Sequence, residues 1–203
     1  MLAGVSLTAF VAGPATSHAT TITGNIGAWN ANAGAFVSTP SIPPGDGNPV
    51  SAFTLADGTN VTLAGSADYI YTVGFDWGAW SNGFTGNVVD STNNTETLTL
   101  SPGVSAFAVY VSPDLGLLLN TSDTITVSLS DGTTAVFSGN YPSPSPQFVG
   151  FYGGSDITSV TISTANAQDF AFGDFNPVPE PLSISVMAVG LAGIGLVRRR
   201  GRR

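Results

Sequence analysis

Between Thr20 and Phe175 this chain never runs far without a residue that turns it. Short stretches alternating apolar with polar side chains are separated, at roughly 10–14-residue intervals, by Gly, Pro, Asn or Asp. A period of two over so few residues describes a strand with one buried face, and it leaves no room for a helix. The predicted strands are Thr20–Ile26, Ser51–Leu55, Asn60–Ala64, Tyr69–Phe75, Phe84–Val89, Thr95–Leu100, Ser105–Val111, Thr124–Ser130, Thr133–Ser138, Phe148–Tyr152, Ser159–Thr164 and Asp169–Phe175. Asp57-Gly58 and Asp131-Gly132 each sit between two of them, where the pair marks a hairpin. Ser105–Val111 is the most continuously apolar strand and is expected at the centre of the core. With no convincing amphipathic helix, the expected fold is all-β: an antiparallel β-sandwich, jelly-roll-like, over residues 20–175.

Charge narrows the chemistry. Charged residues make up 9% of the chain, against about 25% in an ordinary domain. All thirteen acids lie between Thr20 and Pro181, and that stretch contains no Lys, Arg or His. A domain without cations cannot neutralise phosphates, so nucleic acid is not a partner. The chain has no Cys, and its one His is His18. Nucleophilic sites built on Cys/His or Ser/His/Asp are therefore absent beyond residue 18, as are His/Cys zinc sites. A carboxylate pair could in principle cleave a glycoside, with Asp68, Asp76, Asp90 and Glu96 as candidates. No cation is available to place the sugar, and an enzyme is not expected. No intradomain ion pair between side chains is possible either, so crowding like charges on folding should weaken the fold as pH rises.

Two binding chemistries remain. Phe75, Trp77, Trp80 and Phe84 crowd the Gly-rich stretch Gly74–Gly86. Trp77 and Trp80 could stack on sugar rings, with Asp76, Asn82 and Asn87 supplying hydrogen bonds. The same aromatics could instead fold inward and cap the core, and Trp29 is open to both readings. No cofactor is expected, with calcium the one exception considered: Asp114, Asp156 and Asp174 are its candidate ligands. Asp also caps its own backbone in turns, the role expected of Asp123 and Asp131.

The ends of the chain differ from its middle. Leu2–Val11 is apolar, and Ser17-His18-Ala19 puts small residues where signal peptidase cuts, so residues 1–19 are read as a signal peptide cleaved after Ala19. The usual basic start is missing, and an upstream initiation site is expected. At the other end, residues 176–181 are read as a linker containing Val178-Pro179-Glu180-Pro181. Its prolines favour an extended strip that an enzyme could grip. Leu182–Val197 follows without a single charge, long enough as a helix to span about 24 Å. Residues 198–203 hold every Lys or Arg of the chain, with Arg198, Arg199 and Arg200 placed to stop transfer and stay cytoplasmic. The expectation is one transmembrane helix, with membrane thinning or reaching arginines making up its short length.

A Pro-Glu-Pro triplet, an apolar span and a terminal arginine cluster, in that order, resemble the PEP-CTERM sorting signal. The resemblance covers about the last 26 residues. It implies export across the inner membrane of a Gram-negative-type bacterium and transient anchoring through the helix. Cleavage near the triplet by exosortase would follow, leaving the protein at the cell surface or outside. Signal peptidase and exosortase are then the implied partners. A second resemblance to sandwich domains of that family lies in Phe148-Val149-Gly150-Phe151-Tyr152, Ile157–Ile162 and Phe170–Phe175, with Asp174 near the end of the last strand. It identifies no activity. Two functions fit: a noncatalytic surface or extracellular-matrix protein, or a carbohydrate-binding module acting at the surface or in exopolysaccharide.

Overall fold

The computed structural model describes residues 20–38, 42–65, 68–74, 80, 83–114, 121–141, 146–153 and 156–179. Among them twelve strands form: β1 (Thr21–Thr23), β2 (Ala52–Thr54), β3 (Asn60–Leu63), β4 (Asp68–Thr72), β5 (Asn87–Ser91), β6 (Thr95–Leu100), β7 (Val104–Asp114), β8 (Thr121–Leu129), β9 (Thr134–Tyr141), β10 (Gln147–Tyr152), β11 (Ser159–Thr164) and β12 (Asp169–Pro179). A single short helix, α1 (Ile26–Asn32), lies between β1 and β2. Sheet A has the order β1-β10-β7-β12-β5-β4, and sheet B the order β2-β3-β6-β11-β8-β9. The last eight strands pair as nested hairpins, all antiparallel: β8 with β9, β7 with β10, β6 with β11, and β5 with β12. Four nested pairs rolled across two sheets make a jelly roll. The expected antiparallel sandwich is the observed one.

Both Asp-Gly pairs turn hairpins in the same way. Leu55 N–H donates to Thr59 O at 2.8 Å, and Leu129 N–H to Thr133 O at 2.9 Å, closing loops of matching sequence. Gly58 and Gly132 take φ of 92° and 85°, the left-handed geometry that a three-residue hairpin loop requires at that position. The Asp of each loop accepts the Thr amide two residues on, at 2.9 Å for Asp57 and 2.8 Å for Asp131.

The two sheets differ in how they meet water. Between them lies the main core, where Phe107, Val109 and Val111 of β7 meet Val160 and Ile162 of β11 and Leu98 of β6. The opposite side of sheet A carries a second apolar layer of Ala106, Ala108, Tyr110, Phe148 and Ala171, covered by Trp29, Val73, Trp80 and Phe84. Burial on both faces is why β7 reads as an unbroken apolar run. Sheet B is buried on one face only. Its strands β3, β6 and β11 alternate between buried and exposed or half-buried positions, as the period of two predicted.

Helix α1 is the element the sequence reading did not anticipate; it assigned Thr20–Ile26 to one strand. The strand stops at Thr23 because Asn25 caps a helix, its Oδ1 accepting Gly27 N–H at 2.8 Å and Ala28 N–H at 3.1 Å. The helix exists to seat Trp29, which is fully buried against the rings of Phe148 and Tyr152. Gly150 makes the seat: a Cβ there would sit 2.6 Å from Trp29 Cε3. A second difference is at the end of the sandwich. The sequence reading placed a linker from residue 176, whereas β12 continues to Pro179 with Asn176, Pro177, Val178 and Pro179 opposite Ala108, Phe107, Ala106 and Val104. Prolines fit there because β12 pairs with β5 only as far as Gly173, and a strand hydrogen-bonded on one side can spare an N–H. Among the described residues no helix is long and apolar enough to cross a membrane. The signal peptide with Ala19, the residues Glu180 and Pro181, the span Leu182–Val197 and Arg198, Arg199 and Arg200 lie outside the described residues.

Removing the side chain that α1 delivers should be costly. Trp29→Ala is expected to lower the free energy of unfolding by about 3–5 kcal/mol, the range for deleting a buried aromatic. Urea unfolding followed by far-ultraviolet circular dichroism measures it. A loss below about 1 kcal/mol would show that α1 contributes little to the covering of sheet A.

Candidate functional site

Strand β7 runs the length of the sandwich, with Val104 opposite Pro179 at one end and Asp114 opposite Asp169 at the other. Eleven residues at a strand rise of about 3.3 Å separate these ends by roughly 33 Å. At the Asp114 end the chain crosses between sheets from β3 to β4, from β5 to β6 and from β11 to β12. Those crossings gather Asp68, Asp90, Glu96, Asp114, Asp123 and Asp169. Register puts Asp68 opposite Ser91, and Asp90 between Tyr69 and Ala171.

Two of these acids hold the crossings together. Glu96 is 1% exposed. Its Oε1 accepts the amides of Ala64, Gly65 and Thr97 at 2.7, 3.0 and 2.9 Å. Asp123 points inward from β8 and accepts from the backbone of Thr124, Asn166 and Ala167, fastening the turn from β11 to β12. It is a strand residue, where the sequence reading had a turn residue. Asp68, Asp90 and Asp169 lack a donor on at least one oxygen. Both oxygens of Asp68, Oδ1 of Asp90, Ser91 Oγ, Glu96 Oε2 and Asp169 Oδ1 are buried without a hydrogen bond.

A carboxyl that loses water without gaining a donor holds its proton. Burial raises Asp68 from the ordinary 3.8 to about 6, with Glu96's charge adding to the effect. Burial also raises Asp90 to about 7, helped by the charges of Asp169, Asp114 and Asp68. Asp169 rises to about 6 through burial and the charge of Asp114. Repulsion acts as the sequence predicted, but burial is the larger cause at each of the three.

The proposed calcium ligands do not share a site. Asp114 sits at the acidic end, while Asp156 caps the opposite end by accepting the amides of Gly103 and Val104 at 2.9 and 3.2 Å. Asp174 lies between them in β12, at an irregularity where three residue steps face two on β7. Its φ is 55°, a left-handed geometry that Asp tolerates better than most residues. It is 1% exposed, and burial raises it to about 6, with Ser38 opposing. No group of three or more acids among the described residues is placed to hold a metal ion.

The aromatic candidates divide likewise. Trp80 is 5% exposed and Phe84 is 7% exposed, both within the layer over sheet A, so neither offers a ring to a sugar. Apolar area decided this outcome, and Trp29 follows the same rule. Asn87 is engaged too, its Nδ2 donating to Pro43 O at 2.9 Å and its Oδ1 accepting from Thr72 Oγ1 at 3.1 Å. Phe75, Asp76, Trp77 and Asn82 lie outside the described residues. Of the glycosidase candidates, Asp68, Asp90 and Glu96 do converge on one end, but at 1%, 8% and 1% exposed they stand away from solvent.

No family model matches the chain, and no curated protein does. Solved structures similar to it in part include two of low identity. One is TmCBM61 in complex with β-1,4-galactotriose, 13% identical, with a TM-score of 0.37 over 71% of this chain and 98% of that one. The other is the enzymatically active domain of bacteriophage CBA120 tailspike protein 4, 9% identical, with a TM-score of 0.29 over 59% of this chain and 19% of that one.

The raised carboxyls set a pH dependence. Asp68, Asp90, Asp169 and Asp174 bind protons more tightly folded than unfolded, so their contribution to stability is complete below about pH 3.8 and is lost as pH rises through 6 to 7. Asp131, lowered chiefly by the Thr20 hydroxyl, works the other way and loses its contribution only as pH falls below the usual carboxylate range. Melting temperature should therefore fall between pH 5 and pH 8, by on the order of 5 °C. Asp90→Asn should raise it at pH 8 and reduce the slope. An unchanged slope in that variant would mean that Asp90 is ionised across the whole range.

Proposed function

We propose that this is an exported, noncatalytic surface or extracellular-matrix protein, anchored for a time by its C-terminal segment and processed beside Pro179-Glu180-Pro181. The observation that carries this reading is the direction in which the sandwich hands the chain over. Strand β12 is the last element among the described residues and reaches Pro179, the first residue of the triplet, at the end of the molecule opposite the acidic cluster. Thr20, the expected mature N-terminus, bonds Asp131 at that same end. A tail held at a membrane would thus leave the acidic end roughly 33 Å farther from that membrane than Pro179 is. The noncatalytic part is supported by the absence of Cys, Lys, Arg and His between Thr20 and Pro181 and by the burial of Asp68, Asp90 and Glu96. Signal peptidase, exosortase and the inner membrane of a Gram-negative-type cell are the partners this reading requires.

Mass spectrometry of the protein recovered from outside the cell tests it. The expected product begins at Thr20 and ends near Pro179-Glu180-Pro181. Replacing the triplet with alanines should leave a full-length, membrane-bound species; normal processing of that variant would remove the triplet from the mechanism.

A second reading, a polysaccharide-binding module, is favoured by one observation: the solvent side of sheet B is rich in hydroxyls and carries no charged side chain on its described outward strand positions.

A further inference from the structure

We infer that this outer face of sheet B is a docking surface for a neutral, hydroxyl-rich polysaccharide chain, an inference that rests on the polysaccharide-binding reading. Register aligns its hydroxyls in rows. Thr97 faces Thr161, Thr161 faces Ser128, and Ser128 faces Thr134, one row across four strands. Ser163 and Thr126 face each other in the next row. Rows of this kind repeat about 4.8 Å across the strands and about 6.7 Å along them. All six side chains are exposed or half-buried. Within the first row, Thr97 Oγ1 lies 2.9 Å from Thr161 Oγ1, and Ser128 Oγ lies 3.2 Å from Thr134 Oγ1.

Charge selects the occupant. The acids of these strands point away from the face: Glu96 and Asp123 are buried on the inner side, and Asp57 and Asp131 sit in end turns. A chain with a formal net charge of −8 thus presents a broad face with no carboxylate on its described strand positions. An anionic polymer would be repelled by the domain as a whole. A cationic one would be drawn to the acids at the ends. Hydroxyls both donate and accept, so they meet sugar hydroxyls in either orientation. A sheet also twists by about 20–25° per strand, so it cannot follow a flat crystal face such as ice across six strands, whereas a flexible hydrated chain can follow it.

Affinity electrophoresis of the full chain in mild detergent, through gels containing dextran or a neutral galactan, with alginate as the anionic control, tests the assignment. Wild type should be retarded by a neutral polymer and not by alginate. The near-isosteric double variant Thr97→Val/Thr161→Val should weaken retardation at least about fivefold, since hydroxyl-to-methyl exchange takes both hydroxyls off the face at little change in shape. Thr161→Ser should retain it, and an unchanged melting temperature in each variant excludes unfolding as the cause. Retardation that survives the double valine variant but is lost in Trp77→Ala would overturn the face and leave polysaccharide binding standing. No retardation by any neutral polymer would overturn both. Concentration-dependent dimerisation in sedimentation, abolished by the double variant, would assign the face to a second copy and overturn the proposal, as would ice shaping by wild type.

Discussion

Between β10 and β12, strand β7 gives Phe107, Val109 and Val111 to the space between the sheets and Ala106, Ala108 and Tyr110 to the layer outside it. Neither side of that strand meets water, and much else follows. An outer layer needs a cover, which α1 and the segments bearing Trp80 and Phe84 supply. A cover needs room, and the small residues Ala106, Ala108, Gly150 and Ala171 on sheet A give it. With sheet A covered on both sides, sheet B is the one that turns a broad face to solvent among the described residues. That asymmetry is why one sheet reads as apolar runs and the other as clean alternation.

The second constraint is charge without counter-charge. Thirteen acids fold with no side-chain cation among them, so each must find backbone donors, stay in water, or hold its proton. Asp123 and Asp156 take the first course, their oxygens fastening loops where strands change sheet. Asp68, Asp90, Asp169 and Asp174 take the last. Below about pH 6, protonation thus substitutes for the ion pairs that an ordinary domain would use, mostly at the end where the crossings crowd together.

Much of this architecture was legible in the residues. Period-two alternation located β6 and β11 to the residue, and both Asp-Gly loops fell where expected. Helix α1 escaped because seven residues give too little periodicity to read, although Asn25 followed by apolar Ile26 and Trp29 was a usable signal. The end of β12 escaped because Pro177 and Pro179 argue against a strand unless its one-sided pairing is known. Site residues were harder still. Nothing local distinguishes a tryptophan that stacks on sugar from Trp80, which packs inward, nor the three scattered Asp from three that meet. The clustering of Asp68, Asp90 and Asp169 depends on which strands become neighbours, a long-range fact that spacing along the chain does not encode.

The exit of the chain at Pro179 also decides how the molecule would bear mechanical load. Tension applied through the tail enters β12 along its own axis, and β12 lies inside sheet A with β7 on one flank and β5 on the other. If the resisting grip lies elsewhere on the domain, that pull loads the two ladders in shear. Their hydrogen bonds are strained together and must fail nearly together, whereas a strand peeled from an edge would give them up one at a time. A domain pulled in this way would be stiff along β12, and its first mechanical weakness would lie at edge strands such as β4 and β9, off the line of force.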